Sequence, residues 1–194
     1  MKAVDLKTLL EKKFPAVPFK LVRESVLIQN PEDLPAVVQF LKDSPDIKLD
    51  FLSSITAADY LSYLETVYHF YSVELKTGPV MLRARTSRET PQIPSLTPLF
   101  LSADLQEREA YDMFGIVFTG HPDLRRLFMW DNFQGWPLRK DYEQEDSDVL
   151  ETEDINWLDQ NGIPVPPALR EKAKALQASG KRAVALKPNQ AEPA

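Results

Sequence analysis

The sequence predicts an α+β fold: a small antiparallel or mixed sheet with helices on one face, followed by an extended C-terminal arm. Three observations lead there. Apolar residues recur at spacings of three and four over residues 4–14 and 31–43, the period of a helix with one buried stripe. From residue 46 to residue 86 the apolar period shortens to two, the period of strands with one solvated face. Beyond Gly115 the chain becomes rich in aromatics and arginine and loses any sustained period.

Leu6, Leu9, Leu10 and Phe14 form the stripe of a first helix that ends before Pro15. FKLV (19–22) and VLIQ (26–29) flank the polar residues Arg23, Glu24 and Ser25, which reads as a hairpin. Asn30 is a good N-cap for a second helix, with Pro31 in its first turn, Glu32 and Asp33 at its positive end, and Leu34, Val37, Val38 and Leu41 as its buried face. Ile47, Leu49 and Phe51 alternate with Lys48 and Asp50, predicting a strand from residue 46. VYHFYSVEL (67–75) and VMLRART (80–86) continue as a meander through the turn Thr77-Gly78-Pro79. Three prolines punctuate 91–98, after which Ser102 is the expected cap of a helix over 103–114 that Gly115 ends in a left-handed conformation.

This spacing divides the chain into an N-terminal α+β domain (1–90), a helix with a signature segment and docking arm in the same structural unit (91–142), and a charged tail (143–194). Residues 143–159 hold eight acids and no Lys or Arg, whereas 170–187 hold six bases and one Glu. Such blocks mark solvated or partner-docked extensions, here with one short helix near PPALREKAKALQA.

Composition narrows the function. Hydrophobic residues at 43% and charged residues at 27% describe a globular chain, and a net charge of -6 provides no basic field for nucleic acid. No run approaches the roughly 20 apolar residues needed to cross a bilayer, and the opening MKAVDLKTLLEKKF has no signal-peptide core. Contact with a membrane is therefore expected only through partners. With no cysteine, thiolate nucleophiles and ordinary iron–sulfur ligation are excluded, so any redox group belongs to a neighbouring chain.

Residues 104–142 hold the chemistry. They contain seven acids, five bases and eight aromatics, about twice the aromatic frequency of the whole chain. Near-balance of charge favours internal pairing and docking over a charged substrate pocket, and Arg, Trp, Tyr and Phe dominate interface energetics. A catalytic reading would pair Glu107 or Glu109 with His121 as acid and base, or Asp112 with His121 at a metal; a stand-alone hydrolase would use Glu109 and His121. The competing reading gives His121 a hydrogen bond within the turn that begins at Pro122. His69, alternating along a strand, is expected to be packed or half-exposed. No glycine spacing here cradles a phosphate.

One series is specific: Glu107-Arg108-Glu109, then Asp112-Met113-Phe114-Gly115-Ile116, Phe118, Gly120-His121-Pro122-Asp123-Leu124-Arg125-Arg126, and later Pro137-Leu138-Arg139-Lys140-Asp141-Tyr142. It resembles the signature of the thirty-kilodalton-subunit family of respiratory complex I, the C-subunits of NADH-quinone oxidoreductase. Ile55-Thr56-Ala57-Ala58-Asp59-Tyr60 and Val67-Tyr68-His69-Phe70 extend the resemblance upstream, so that it covers roughly residues 30–142. Leu105 stands where the family often has tryptophan, and Trp136 where histidine is common.

The resemblance implies a non-catalytic core subunit of the peripheral arm, scaffolding the quinone-reducing module while electrons pass from NADH to quinone and protons are translocated. It implies no cofactor on this chain, with flavin and iron–sulfur clusters in partner subunits. The implied partners are a quinone-site subunit like the large subunit of nickel-iron hydrogenases, the cluster-bearing subunit beside it, and other peripheral-arm subunits. The expected location is the cytoplasmic face of the inner cell membrane, as a peripheral member of a membrane complex. An equivalent subunit of a membrane-bound hydrogenase or ferredoxin-type dehydrogenase is the alternative host. Glu107, Arg108, Glu109 and Asp112 are then expected to form an ion network at the foot of the arm. Arg125, Arg126, Arg139 and Lys140 would anchor the arm, internally or to a partner, and Gly115, His121, Pro122 and Asp141 would complete the lock.

Overall fold

Leu6 and Leu10, one turn apart, bury the inner side of α1 (Ala3–Lys13). β1 (Phe19–Val22) and β2 (Ser25–Ile28) follow in a computed structural model that describes residues 2–142 and 152–178. The hairpin turn is one residue shorter than expected: Ser25 pairs with Val22, and Arg23 takes a positive φ of 54°. Asn30 accepts the Glu32 amide and caps a single 3₁₀ turn over Pro31–Asp33, which leads into α2 (Leu34–Asp43). Leu34, Val37, Val38 and Leu41 are its buried face, as their spacing predicts.

The strand expected from residue 46 does not form there. Ile47 and Leu49 are buried, but in a turn whose amides donate to the Ser44 and Leu41 carbonyls, with Lys48 at φ 43°. The strand is β3 (Phe51–Asp59), and it starts in the opposite phase: Phe51 is 46% exposed while Leu52 and Ile55 enter the core. A register irregularity between Leu52 and Ser54 separates these two buried positions by three residues instead of two, which hides the strand from a search for strict alternation. β4 (Tyr63–Ser72) and β5 (Thr77–Ser87) complete an antiparallel meander. The sheet order is β1-β2-β5-β4-β3, and β2 pairs with β5 in parallel, so the sheet is mixed.

One sheet face carries Leu64, Tyr68, Phe70, Val80, Leu82 and Ala84 into the core, against the apolar stripes of α1 and α2. The other face holds an ion cluster. Glu65, almost inaccessible, sits between Arg83 and Arg85, while Arg83 Nε also reaches Ser25 Oγ at 2.6 Å. His69, half-buried on that face, leaves Nδ1 unpaired.

β6 (Gln92–Pro94) pairs in parallel with β7 (Val117–Thr119), a short strand in a stretch expected to be irregular. Between them lies α3 (Ala103–Phe114), which covers the edge of β3. Ser102 does not cap α3 with its side chain. Its hydroxyl donates to the Leu52 carbonyl at 3.0 Å, and Gln106 Oε1 accepts the Ile55 amide at 2.6 Å, so two groups of an exposed strand edge are satisfied by the helix. Ile93, Phe100, Ala110, Ile116 and Phe118 extend the same core, and Met1–Asp141 is one compact unit.

The second unit, Tyr142–Ala194, contains two helices among its described residues where one was expected. α4 (Thr152–Gln160) lies in the acidic stretch and α5 (Pro167–Ala178) matches the expected helix. Gly162, at φ 69°, ends α4, with the Ile163 amide donating to the Leu158 carbonyl. Arg170 pairs with Asp159 across the two helices. The remainder of the tail expectation, over 143–151 and 179–194, lies outside the described residues.

Candidate docking arm and its locks

Asp112 is the centre of the arm. Its carboxylate is fully buried on α3 and accepts three consecutive backbone amides, from Leu127 (3.0 Å), Phe128 (2.7 Å) and Met129 (2.9 Å), together with Arg126 Nη1 at 2.7 Å. Burial alone would push this carboxyl up, but the Met129 amide, the Arg126 guanidinium and the Phe128 and Leu127 amides outweigh it and hold the group below the ordinary carboxylate value. Arg126 in turn donates to the carbonyls of Asp112, Phe133 and Gly135. One ion pair thus gathers residues from α3, 126–129 and 133–135. A buried ion persists only with such a set of partners.

Trp136 is the second anchor. Arg126 lies 4.6 Å and Arg139 5.9 Å from its ring, and Tyr111 meets it edge-on at 5.4 Å. Gly115 caps α3 at φ 72° and donates its amide to the Tyr111 carbonyl. A Cβ built there would fall 2.4 Å from Trp136 Cε2, so this glycine answers two demands at once, a left-handed backbone and the close approach of an indole. Leu138 N then donates to the Met113 carbonyl and Arg139 Nε to the Phe114 carbonyl, tying the arm to the end of α3.

A third clasp joins the arm to the sheet. Arg88, just after β5, binds Asp59 at the end of β3 through Nε (3.2 Å) and Nη2 (2.9 Å), and Asp141 through the same guanidinium. Asp59 also accepts the Lys140 and Leu61 amides. The Arg88 hydrogen bond, against burial and aided by those amides, holds the Asp59 carboxyl well below its usual range, and Arg88 likewise lowers Asp141.

The expected ion network is therefore only partly assembled, and several roles differ. Among the described residues Glu107 meets no cation. It lies on the opposite side of α3, where Oε1 accepts the Leu96 amide (2.7 Å) and Oε2 the Ser95 hydroxyl (2.6 Å). Glu109 is exposed and forms no ion pair among the described residues. Arg108 donates to the Arg125 and Arg126 carbonyls at 3.3 and 3.4 Å, so it binds backbone and not acid. Arg125 is an exposed side chain paired with Asp123. Lys140 contributes its amide and not its ammonium. Pro122 stands exposed in the turn.

His121 has both ring nitrogens occupied. Nδ1 accepts the Asp123 amide at 3.1 Å, and Nε2 meets the Asp104 carbonyl at 3.2 Å. The Asp104 carboxylate is 3.4 Å from Nε2, but its geometry does not make a hydrogen bond and Oδ1 stays unpaired. Neither Glu107 nor Glu109 pairs with this histidine. Among the described residues no group of three His, Asp or Glu converges on a metal position. Asp59, Arg88 and Trp136 were absent from the expected site. The Asp59 segment lay within the resembling region, but nothing in its spacing linked it to residue 141.

The arm exposes three large apolar side chains among its charged and polar ones. Phe128 is 62%, Trp130 67% and Leu138 56% exposed, while the polar groups beneath them are internally satisfied. Fold and site together define an α+β module that holds a non-repetitive arm by buried ion pairs and presents aromatic side chains outward.

Residues 27–148 match the model of the family described as respiratory-chain NADH dehydrogenase, 30 Kd subunit, and the chain belongs to that family. It is 44% identical over 115 residues to the second NADH-quinone oxidoreductase C-subunit of Rhizobium meliloti (strain 1021), a match covering 58% of this chain and 62% of that protein. It is 38% identical over 149 residues to the NADH-quinone oxidoreductase C-subunit of Roseiflexus sp. (strain RS-1), covering 72% of this chain and 84% of the other. The fold is also that of a chain in the membrane-bound sulfane sulfur reductase, an archaeal respiratory membrane complex. There the TM-score is 0.58 at 21% identity, over 84% of this chain and 92% of the other. No described helix is long and apolar enough to cross a membrane.

Proposed function

We propose that this chain is a non-catalytic core subunit in the peripheral arm of an NADH-quinone oxidoreductase, scaffolding the module in which electrons pass from NADH to quinone with coupled proton translocation. The single observation that carries this reading, alongside family membership, is the exposure of Phe128, Trp130 and Leu138 on an arm whose buried Asp112–Arg126 pair is already matched internally. An arm held in this way presents preformed aromatic anchors, and such anchors carry most of the free energy of a protein interface. The partner that fits is a subunit with an apolar groove. The family points to the hydrogenase-large-subunit-like quinone-site chain, with the cluster-bearing subunit beside it, on the cytoplasmic face of the membrane. Flavin and iron–sulfur clusters are expected in partner subunits and not on this chain. On this reading the chain contributes position and the chemistry lies in its partners.

Native purification through a tag on this chain, with identification of what co-purifies, tests the reading. The expected result is a membrane-associated assembly containing a flavin-bearing, NADH-oxidising subunit and a quinone-site subunit, lost when Phe128 and Trp130 are both changed to Ser although the chain still folds. Recovery of a hydrogenase or ferredoxin-fed complex would transfer the subunit to the alternative host. Recovery of the chain alone, or normal assembly of the double variant, would overturn the docking role.

A further inference from the structure

We propose that Glu107, Ser95 and Thr97 form a proton-binding site, in which the buried carboxyl of α3 takes up a single proton through two surface-linked hydroxyls and so controls its grip on the segment after β6. The geometry carries this in three parts. First, Glu107 is fully buried and has no cation among the described residues: Arg108, its neighbour in sequence, turns away to the Arg125 and Arg126 carbonyls. A buried carboxylate without a cation is the costly form, and protonation is the simplest relief. Second, the hydrogen bonds suit either state. Ionised, Oε2 accepts the Ser95 hydroxyl at 2.6 Å and Oε1 the Leu96 amide at 2.7 Å. Protonated, Oε2–H donates to Ser95 Oγ, whose own hydrogen rotates to Thr97 Oγ1, 2.7 Å away. Third, that pair of hydroxyls is a route outward, because Ser95 is buried and Thr97 is half-buried. The balance is one proton gained and one negative charge lost; no other covalent bond changes, while the Ser95 hydrogen bond reverses direction and the Leu96 amide loses an ionised acceptor.

The charged and titratable surroundings agree. Asp104, one turn earlier on α3, adds a like charge, and burial first, with the Glu107 carboxylate adding to it against the Thr66 hydrogen bond, pushes the Tyr68 phenol of β4 well above its ordinary value. His121, at the far end of Asp104, is held in hydrogen bonds to backbone. Burial first, with Asp104 adding to it and against the Ser95 and Leu96 bonds, pushes the Glu107 carboxyl up to about 7 from 4.5. A raised carboxyl stabilises the fold below its unfolded value, and that stabilisation is lost as pH rises from 4.5 to about 7.

The test is a titration of the full chain carrying ¹³C at glutamate side-chain carboxyls, from about pH 5 to about pH 8, with the Leu96 amide followed in parallel. One carboxyl resonance should titrate near 7, the Leu96 amide should shift with the same midpoint, and both should be silent in Glu107→Gln. Ser95→Ala, by removing a bond that favours the ionised form, should move the midpoint upward. The folding equilibrium constant should fall on the order of a hundredfold across this window in the parent chain and stay level in Glu107→Gln. Glutamates that all titrate at ordinary values, or a pH slope that survives Glu107→Gln, would overturn the site. Should that variant not fold, the Leu96 amide of the parent chain decides alone: a flat response between about pH 5 and about pH 8 refutes it.

Discussion

The two sides of α3 bury a carboxylate each, and they treat it oppositely. On the arm side Asp112 receives a guanidinium and three amides and is held below the ordinary carboxylate value; on the β6 side Glu107 receives one amide and one hydroxyl and is pushed up to about 7. Burial is the first influence on both and pushes both up. What decides the charge is the donor count around each group, and that count is set by which segment the carboxylate faces. The arm can wrap Asp112 because residues 127–129 are irregular and their amides are not claimed by a helix or sheet.

The largest effect should come from removing the stronger of these two centres. Asp112→Ala leaves Arg126 and three amides without their acceptor, and should lower stability by about 3–5 kcal/mol in chemical denaturation. A loss below about 1 kcal/mol would mean that the arm is held mainly by its aromatic contacts. Gly115→Ala comes next. It combines a left-handed strain of about 1–2 kcal/mol with the collision against Trp136, so a loss of about 2–4 kcal/mol and a weakened Trp136 fluorescence signature are expected. Trp136→Ala removes the ring on which Arg126 and Arg139 rest, at about 2 kcal/mol or more, and should couple strongly to Asp112→Ala in a double-mutant cycle.

Acid distinguishes the two sides further. Asp112 and Asp59 are both held below 3.8, so their stabilisation is complete above that value and is lost as pH falls through and below it. Thermal melts should therefore drop on the acid side, with the acid limb reduced in Asp59→Asn. The smallest effect belongs to the outer surface: Phe128→Ser with Trp130→Ser should change stability by no more than about 0.5 kcal/mol, while abolishing co-purification of partners.

Much of the fold was legible because its signals are local. The α2 face, the alternation of Val80, Leu82 and Ala84, and the glycine that ends α3 depend only on residues within a few positions of one another. β3 was misplaced because its irregular register breaks the period, and because Ile47 and Leu49 imitate a strand while packing in a turn. In the site, Asp112, Arg126 and Arg139 were visible as charges within an aromatic stretch. Which of them pair was not, since Arg126 binds the Asp112 carboxylate as well as carbonyls, Arg139 and Arg108 bind backbone carbonyls, and Lys140 acts through its amide.

By itself, then, the order of residues determined the helices and most strands, the α+β class, the family signature, and the concentration of arginine and aromatics between 104 and 142. Only the tertiary structure decided which acid meets which base. Local period is a property of neighbours along the chain, whereas a buried charge is satisfied by whatever donors the fold brings within about 3 Å. That distance joins Asp59 to Lys140 across 81 residues and leaves Glu107, one residue from an arginine, without a cation.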